Sequence, residues 1–196
     1  MAFEMIVIGT SLGGLDALKV LLPGLPKRLP VSVTVVQHRH KSSDRMLIEV
    51  LQQYSPMLIR EAEDKEVVVP GRIYLAPADY HLLLEAGNSQ GHSPSFALST
   101  EAPVSYARPS IDVLFESAAD VYAEKIIGVI LTGASHDGAN GLAKVKANGG
   151  LAIVQEPATA ESRIMPEAAI ASVAVDWILS LSDIAPFVVK LLAVRC

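Results

Sequence analysis

The chain is short of cysteine, of long apolar runs and of clustered positive charge, and each shortage removes a class of protein. Its one cysteine, Cys196, is the last of 196 residues. A single thiol closes no internal disulfide, so a disulfide-built secreted scaffold is excluded and a reducing compartment is expected. With no His or Asp beside it in the sequence, Cys196 reads as an exposed bystander rather than a nucleophile. No apolar run approaches the ~20 residues of a membrane-spanning helix. The stretch from Met1 to Ile8 carries Glu4 and no basic residue, so no signal peptide is evident. The expectation is a cytoplasmic protein without membrane insertion. The net charge is −5 with both signs interspersed. The one positive cluster, Arg39-His40-Lys41, is too short for a nucleic-acid footprint, so no nucleic-acid partner is expected. Low-complexity segments are missing, and 51% of the residues are apolar, enough to exclude disorder for the bulk of the chain. The length suits one domain, expected to span residues 1–196.

What is present is an alternation of strand and helix signals. Met5-Ile6-Val7-Ile8 is a short buried-strand run ended by Gly9. After the turn from Gly9 to Gly14, Leu15, Leu18, Leu21 and Leu22 recur at helical steps until Pro23-Gly24. A β-branched run, Val31 to Val36, follows. Strand–helix–strand at this spacing predicts a parallel α/β sheet. Asp44 to Tyr54 is a further helix candidate, with Ser43 or Asp44 as its cap. Residues 58–98 change character: Val67–Val69, Arg72–Leu75, Leu82–Glu85 and Phe96–Leu98 are short strand runs broken by Pro-Gly and by the polar turn at 87–91. They predict an antiparallel hairpin region, an edge or a flap. From Ser110 to Ala123, Ile111, Leu114, Phe115, Ala118, Ala119 and Tyr122 share one helical face, with Pro109 read as a tolerated first-turn proline. Then come a strand at Ile126–Leu131, a glycine-rich turn at Thr132–Gly138, a helix through Leu142 and Val145 ended by Asn148-Gly149-Gly150, and a strand at Leu151–Val154. A helix opened by Pro166, a strand at Trp177–Leu179 and a helix at Ile184–Leu192 complete the chain.

Three residues could combine into chemistry. Gly9-Thr10-Ser11-Leu12-Gly13 fits G-x-S-x-G between a strand and a helix, the context of a nucleophile elbow. The following helix would aim its free N–H groups at the site, with the Leu12 N–H as one oxyanion donor. Two other readings stay open on the pattern alone: a phosphate-cradling loop and a plain structural turn. A serine needs a base. Of the five histidines, His38 ends the second strand, which brings it to the same carboxyl edge as Ser11. A surface-loop histidine is the alternative. Asp137, after the strongest internal strand, could hold the imidazole; it could also cap the helix beginning near Ala139. The order Ser…His…Asp differs from that of α/β-hydrolases, and only one strand precedes the serine, so a different fold is expected. Ending the second strand on Val36-Gln37-His38, without an acidic residue for a ribose, argues against a dinucleotide binder.

Taken together, Ile8-Gly9-Thr10-Ser11-Leu12-Gly13-Gly14, Val35-Val36-Gln37-His38, Ile73-Tyr74-Leu75-Ala76-Pro77 with Asp79 and His81, Arg108 to Phe115, Leu131-Thr132-Gly133 with Asp137-Gly138, and Met165-Pro166 resemble the catalytic domain of the chemotaxis protein-glutamate methylesterases, the CheB type. The resemblance runs from Met5 to about Leu192. It implies a doubly wound, three-layer α/β/α sandwich with a mainly parallel, Rossmann-like sheet. It further implies that Ser11 attacks a receptor glutamate methyl ester, with His38 as base and Asp137 orienting it, and that some members deamidate glutamines. The implied partners are methylated cytoplasmic helices of chemoreceptors, and no cofactor or metal is implied. Ala134 takes the place of the family's second oxyanion donor. Arg108 and His81 fall near the rim, to bind substrate or to brace loops. Three departures stand out. Met1 lies four residues before the first strand, so cis control by a receiver domain is not expected; constitutive activity and control by a regulator in trans are the two alternatives. Ala134-Ser135-His136 replaces Met-Gly-Asn, and Ser135 would narrow the backbone freedom of a glycine. His136 sets a second imidazole beside Asp137. A hydrolase of another ester or amide, or a non-catalytic adaptor on the same fold, are the remaining functional alternatives.

Overall fold

The computed structural model describes residues 2–41, 46–87 and 93–194. The expected cap at Ser43 or Asp44, the tip of the 87–91 turn, His92 and Cys196 lie outside the described residues. Strands β1 (Met5–Thr10), β2 (Ser32–Gln37), β3 (Leu58–Glu61), β4 (Arg72–Leu75), β7 (Ile126–Ile130), β8 (Leu151–Gln155) and β9 (Trp177–Leu179) form one sheet in the order β3-β4-β2-β1-β7-β8-β9. Every pair in it is parallel. Strands β5 (His81–Glu85) and β6 (Ser95–Ser99) form a separate antiparallel pair.

Parallel strands buried on both faces read as continuous apolar runs, because alternate side chains feed two cores. Ile6 and Ile8 of β1 and Ile127 and Val129 of β7 point into one core, beneath helices α1 (Gly14–Leu21) and α6 (Leu181–Val194). Met5 and Val7, with Ile126 and Ile130, point into the other, beneath α3 (Ile111–Tyr122), α4 (Ala139–Ala147) and α5 (Ile164–Ser172). Helix α2 (Met46–Gln52) contributes Leu51 to the first core. The three layers are therefore those expected of a doubly wound fold.

Three expectations are narrowed. The antiparallel part of 58–98 is confined to β5 and β6; β3 and β4 instead extend the parallel sheet, with Ile73 paired to Val33 of β2. The reason is burial: Ile59, Ile73 and Leu75 join the core under α1 and α2, which a detached hairpin could not provide. The hairpin packs Leu82, Leu84 and Phe96 on the α3 side, with the Phe96 ring 4.7 Å from that of Tyr74. Pro109 is not in the first turn of α3, because Ser110 is the N-cap and Ile111 the first helical residue. Helix α5 starts at Ile164, so Pro166 falls within its first turn, where no intrahelical N–H is lost.

From β1 the chain winds outward to β2 and β4 on one side, and later to β7, β8 and β9 on the other. The switch of direction lies between β1 and β7, and the crevice outside the carboxyl ends of these strands is where such sheets bind ligands. Ser11 follows β1, His38 follows β2 and Asp137 lies in the turn after β7, so all three sit on that edge.

Candidate active site

The nucleophile turn is built by hydrogen bonds on both flanks. Ser11 N–H donates to Thr132 O at 3.0 Å, which anchors the end of β1 to the end of β7. Gly14 N–H donates back to Ser11 O at 2.9 Å, closing a four-residue turn. Its third residue, Gly13, has φ 77° and ψ −1°, the geometry a type II turn demands there. The sharp change of direction thus falls on the glycine; Ser11 is not among the residues with positive φ. The turn delivers the chain into the N-terminus of α1, and Leu12 is left 53% exposed at the mouth.

His38 is placed by a backbone bond from its N–H to Thr10 O at 3.0 Å. Its Nε2–H donates to Asp137 Oδ2 at 2.7 Å. That bond fixes the tautomer: Nδ1 is the ring nitrogen left without a proton, free to serve as a base. Ser11, Leu12, Gln37 and His38 line one depression of about 480 Å³. Among the described residues no hydrogen bond joins Ser11 Oγ to the imidazole, an opening common in sites without substrate.

Asp137 is fully buried and its carboxylate is saturated by donors. Besides His38, Oδ2 accepts from Ile111 N–H at 2.6 Å, while Oδ1 accepts from Ser110 Oγ at 2.8 Å and from Asp112 N–H at 3.0 Å. Three of these four donors stand at the N-terminus of α3, an anion site made from unpaired backbone N–H groups and the helix dipole. Burial pushes the Asp137 carboxyl up. The hydrogen bonds from His38, Asp112, Ile111 and Ser110 outweigh it and hold the carboxyl below its ordinary value. The alternative role, a cap to its own following helix, is not taken: Gly138 is the N-cap of α4 and has no side chain to offer it. Asp112 does that work, its Oδ1 accepting from Gly138 N–H at 2.8 Å and Gly141 N–H at 2.7 Å.

The remaining sequence-nominated residues divide. The N–H groups of Leu12 and Ala134 have no acceptor among the described residues, so both are free to face a developing oxyanion. Ser135 is not among the residues with positive φ, and its Oγ accepts from Asp137 N–H at 3.1 Å, so the expected backbone narrowing is not encountered. His136 is exposed and lines a neighbouring depression with His38 and Ala134. His81 does not face the rim: it is 2% exposed, its Nε2–H donates to Ala102 O at 3.1 Å and its Nδ1 accepts from Ser110 N–H at 3.2 Å. Arg108 also braces, binding Asp79 at 2.6 Å, Thr100 O at 2.7 Å and Glu101 O at 2.9 Å. The geometry favours bracing over substrate binding for both.

Three contributors escaped the sequence reading. Gln37 Nε2 donates to both Ser11 O and His38 O, each at 2.9 Å, and so ties the two segments together. Ser110 joins the α3 cap to Asp137. Glu161 packs against Gly13 at the lip of the Ser11 depression. Gln37 carried a signal as a polar residue at the end of a β-branched strand, one position before the histidine, and Ser110 another as a serine directly before the apolar periodicity of α3.

A serine, an imidazole and a carboxylate at the switch point of a doubly wound sheet, beside free N–H donors, define a hydrolase-type site on a fold other than that of the α/β-hydrolases. Residues 6–188 match the family described as CheB methylesterase, and the chain belongs to that family. A putative protein-glutamate methylesterase/protein-glutamine glutaminase of Leptospira interrogans is 47% identical over 97% of this chain and 96% of its own length. A protein-glutamate methylesterase/protein-glutamine glutaminase of Thermotoga maritima is 38% identical over 90% of this chain and 50% of its own length. The crystal structure of the Thermotoga maritima CheB methylesterase catalytic domain superposes with a TM-score of 0.92 at 36% identity, covering 97% of this chain and 100% of that one.

Proposed function

We propose that this chain hydrolyses the γ-methyl esters of glutamate side chains in the cytoplasmic helices of chemoreceptors, and deamidates glutamines at such positions by the same route. Family membership and the names of its relatives support the reaction class. The observation that carries the mechanism is the 2.7 Å bond from His38 Nε2–H to a buried Asp137 carboxylate, which leaves Nδ1 as the base for Ser11.

In this reading Ser11 Oγ attacks the ester carbonyl carbon while His38 Nδ1 takes its proton. The oxyanion of the tetrahedral intermediate lies against the N–H groups of Leu12 and Ala134, which strengthen their hold as charge develops. The C–O bond to the methoxy group then breaks, and His38 returns its proton so that methanol leaves. Water, deprotonated by His38, attacks the glutamyl-serine ester, and collapse frees the carboxylate and restores Ser11. A glutamine follows the same path with ammonia as leaving group. Asp137 stays ionised, stabilises the imidazolium and keeps the ring oriented. Among the described residues no cluster of His, Cys, Asp or Glu is placed to hold a metal ion, and no helix is long and apolar enough to cross a membrane.

The test is methanol release from methylated receptor fragments by the wild-type chain and by Ser11→Ala. Release that falls by several orders of magnitude in the variant is expected, as for other triad serines. Undiminished release by Ser11→Ala, or none by folded wild type, would overturn the proposal.

A further inference from the structure

The segment before α3 makes a two-residue hairpin turn whose sequence does not suit it. Val104 and Ala107 exchange both backbone hydrogen bonds, at 3.1 and 2.9 Å, across Ser105 and Tyr106. The central residues have φ of 51° and 63°. Positive φ at both positions is the signature of a type I′ turn, which strongly prefers Asn-Gly or Asp-Gly. For a bulky residue the conformation is an outlier that costs stability.

Packing does not recover that cost. Tyr106 is 104% exposed, so folding gains almost nothing from its ring. The turn is nevertheless held in place. Arg108 clamps the segment to Asp79, Thr100 and Glu101, and buried His81 ties Ala102 to Ser110. Ser110 in turn contacts Asp137. The backbone that carries Tyr106 is thus tied, through Arg108, His81 and Ser110, to the candidate triad. It stands over a depression of about 490 Å³ that it lines with His38, Ala134 and His136. Leu12, another exposed apolar side chain at the site, lines the second depression containing His38.

We infer that Tyr106 is a specificity-determining contact that grips the helical segment carrying the ester, beside the reacting side chain. This rests on the reading above. A γ-ester can reach Ser11 while the helix bearing it stays outside, so the rim decides which helices present their esters productively. A rigid aromatic suits the task, because immobilising it costs little entropy. Val104-Ser105-Tyr106-Ala107 carries no charge. The substrate surface it fits is therefore an apolar side chain of that helix, not its acidic face.

The experiment compares kcat/KM for a methylated receptor fragment with that for a small ester, N-acetylglutamate γ-methyl ester amide, in wild type, Tyr106→Gly and Tyr106→Phe. The receptor-to-small-ester ratio is expected to fall about tenfold or more in Tyr106→Gly, chiefly through KM, the loss typical of an aromatic hot spot. Tyr106→Gly should also raise Tm, since glycine relieves the positive φ. Tyr106→Phe should keep the ratio within about threefold, because the ring makes the contact. Val20→Ala, an exposed apolar residue on α1 away from both depressions, serves as control and should change neither rate. An unchanged ratio in Tyr106→Gly, or a Tm that falls with both rates together, would overturn the inference. Wild type that turns over neither ester would instead overturn the methylesterase reading itself, and the inference with it.

Discussion

Asp137 and Asp112 cap each other's helices. Asp137, in the turn leading into α4, accepts the N–H groups of Ile111 and Asp112 at the start of α3. Asp112, in the first turn of α3, accepts the N–H groups of Gly138 and Gly141 at the start of α4. The exchange locks two helix ends together and fixes the carboxylate that holds His38.

Asp137→Asn should be the most damaging isosteric change. All four partners of the carboxylate are donors, so an amide nitrogen at either oxygen position meets N–H or O–H groups and leaves one unsatisfied. A loss of about 10⁴ in kcat is expected if the imidazole adopts the wrong tautomer, as in other triads. The stability effect has a defined pH sign. Since the folded carboxyl is held below its ordinary value, its contribution is present above the unfolded pKa and disappears as pH falls through the folded one, below the usual carboxylate range. Urea unfolding across an acid pH series should show this limb in wild type and a flatter one in Asp137→Asn.

Asp112→Asn should behave oppositely. An amide oxygen can replace Oδ1 and keep both backbone bonds, and the neighbouring Asn140 amide can turn to receive the new N–H₂. Burial, reinforced by the nearby Asp137 charge, pushes the Asp112 carboxyl up despite its hydrogen bonds. Wild type therefore loses stability as pH rises through that raised folded pKa, and the asparagine variant does not. The stability difference should move in favour of Asp112→Asn with rising pH, and Asp112→Ala, which orphans two buried N–H groups, should cost about 2–3 kcal/mol.

Gln37→Leu removes the bonds to Ser11 O and His38 O without touching a triad side chain. Steady-state kinetics should show kcat reduced by about 10–100-fold, the scale of a small misplacement. A methyl at Gly14 would fall 2.0 Å from Gln37 Oε1 and 2.5 Å from Thr10 Oγ1, so Gly14→Ala displaces the same amide. The two substitutions should be non-additive in a double-mutant cycle.

Much of this architecture was legible in the sequence because it rests on local signals. Met5–Ile8, Val31–Val36 and Ile126–Leu131 read as strands, since burial on both faces demands continuous apolar runs. The face of α3 was legible because Ile111, Leu114, Phe115, Ala118 and Ala119 all repeat at helical spacing and are all fully buried. The carboxyl-edge rule then placed Ser11, His38 and Asp137 together. What stayed hidden is non-local. Whether Arg72–Leu75 joins the parallel sheet depends on its pairing with β2, about forty residues away in sequence. The crossed caps require knowing that α3 and α4 begin side by side, and an aspartate before a helix is read most simply as its own cap. The burial of His81 likewise depends on a loop, at Ala102, that closes over it.

The measurement that tests the central claim most directly is covalent trapping of the nucleophile. Wild type and His38→Ala would be treated with a fluorophosphonate and the modified residue mapped by mass spectrometry. If His38, held by Asp137, activates Ser11, wild type acquires one adduct on Ser11 and His38→Ala reacts orders of magnitude more slowly. An adduct on another residue, or equal labelling rates in the two proteins, would contradict the account.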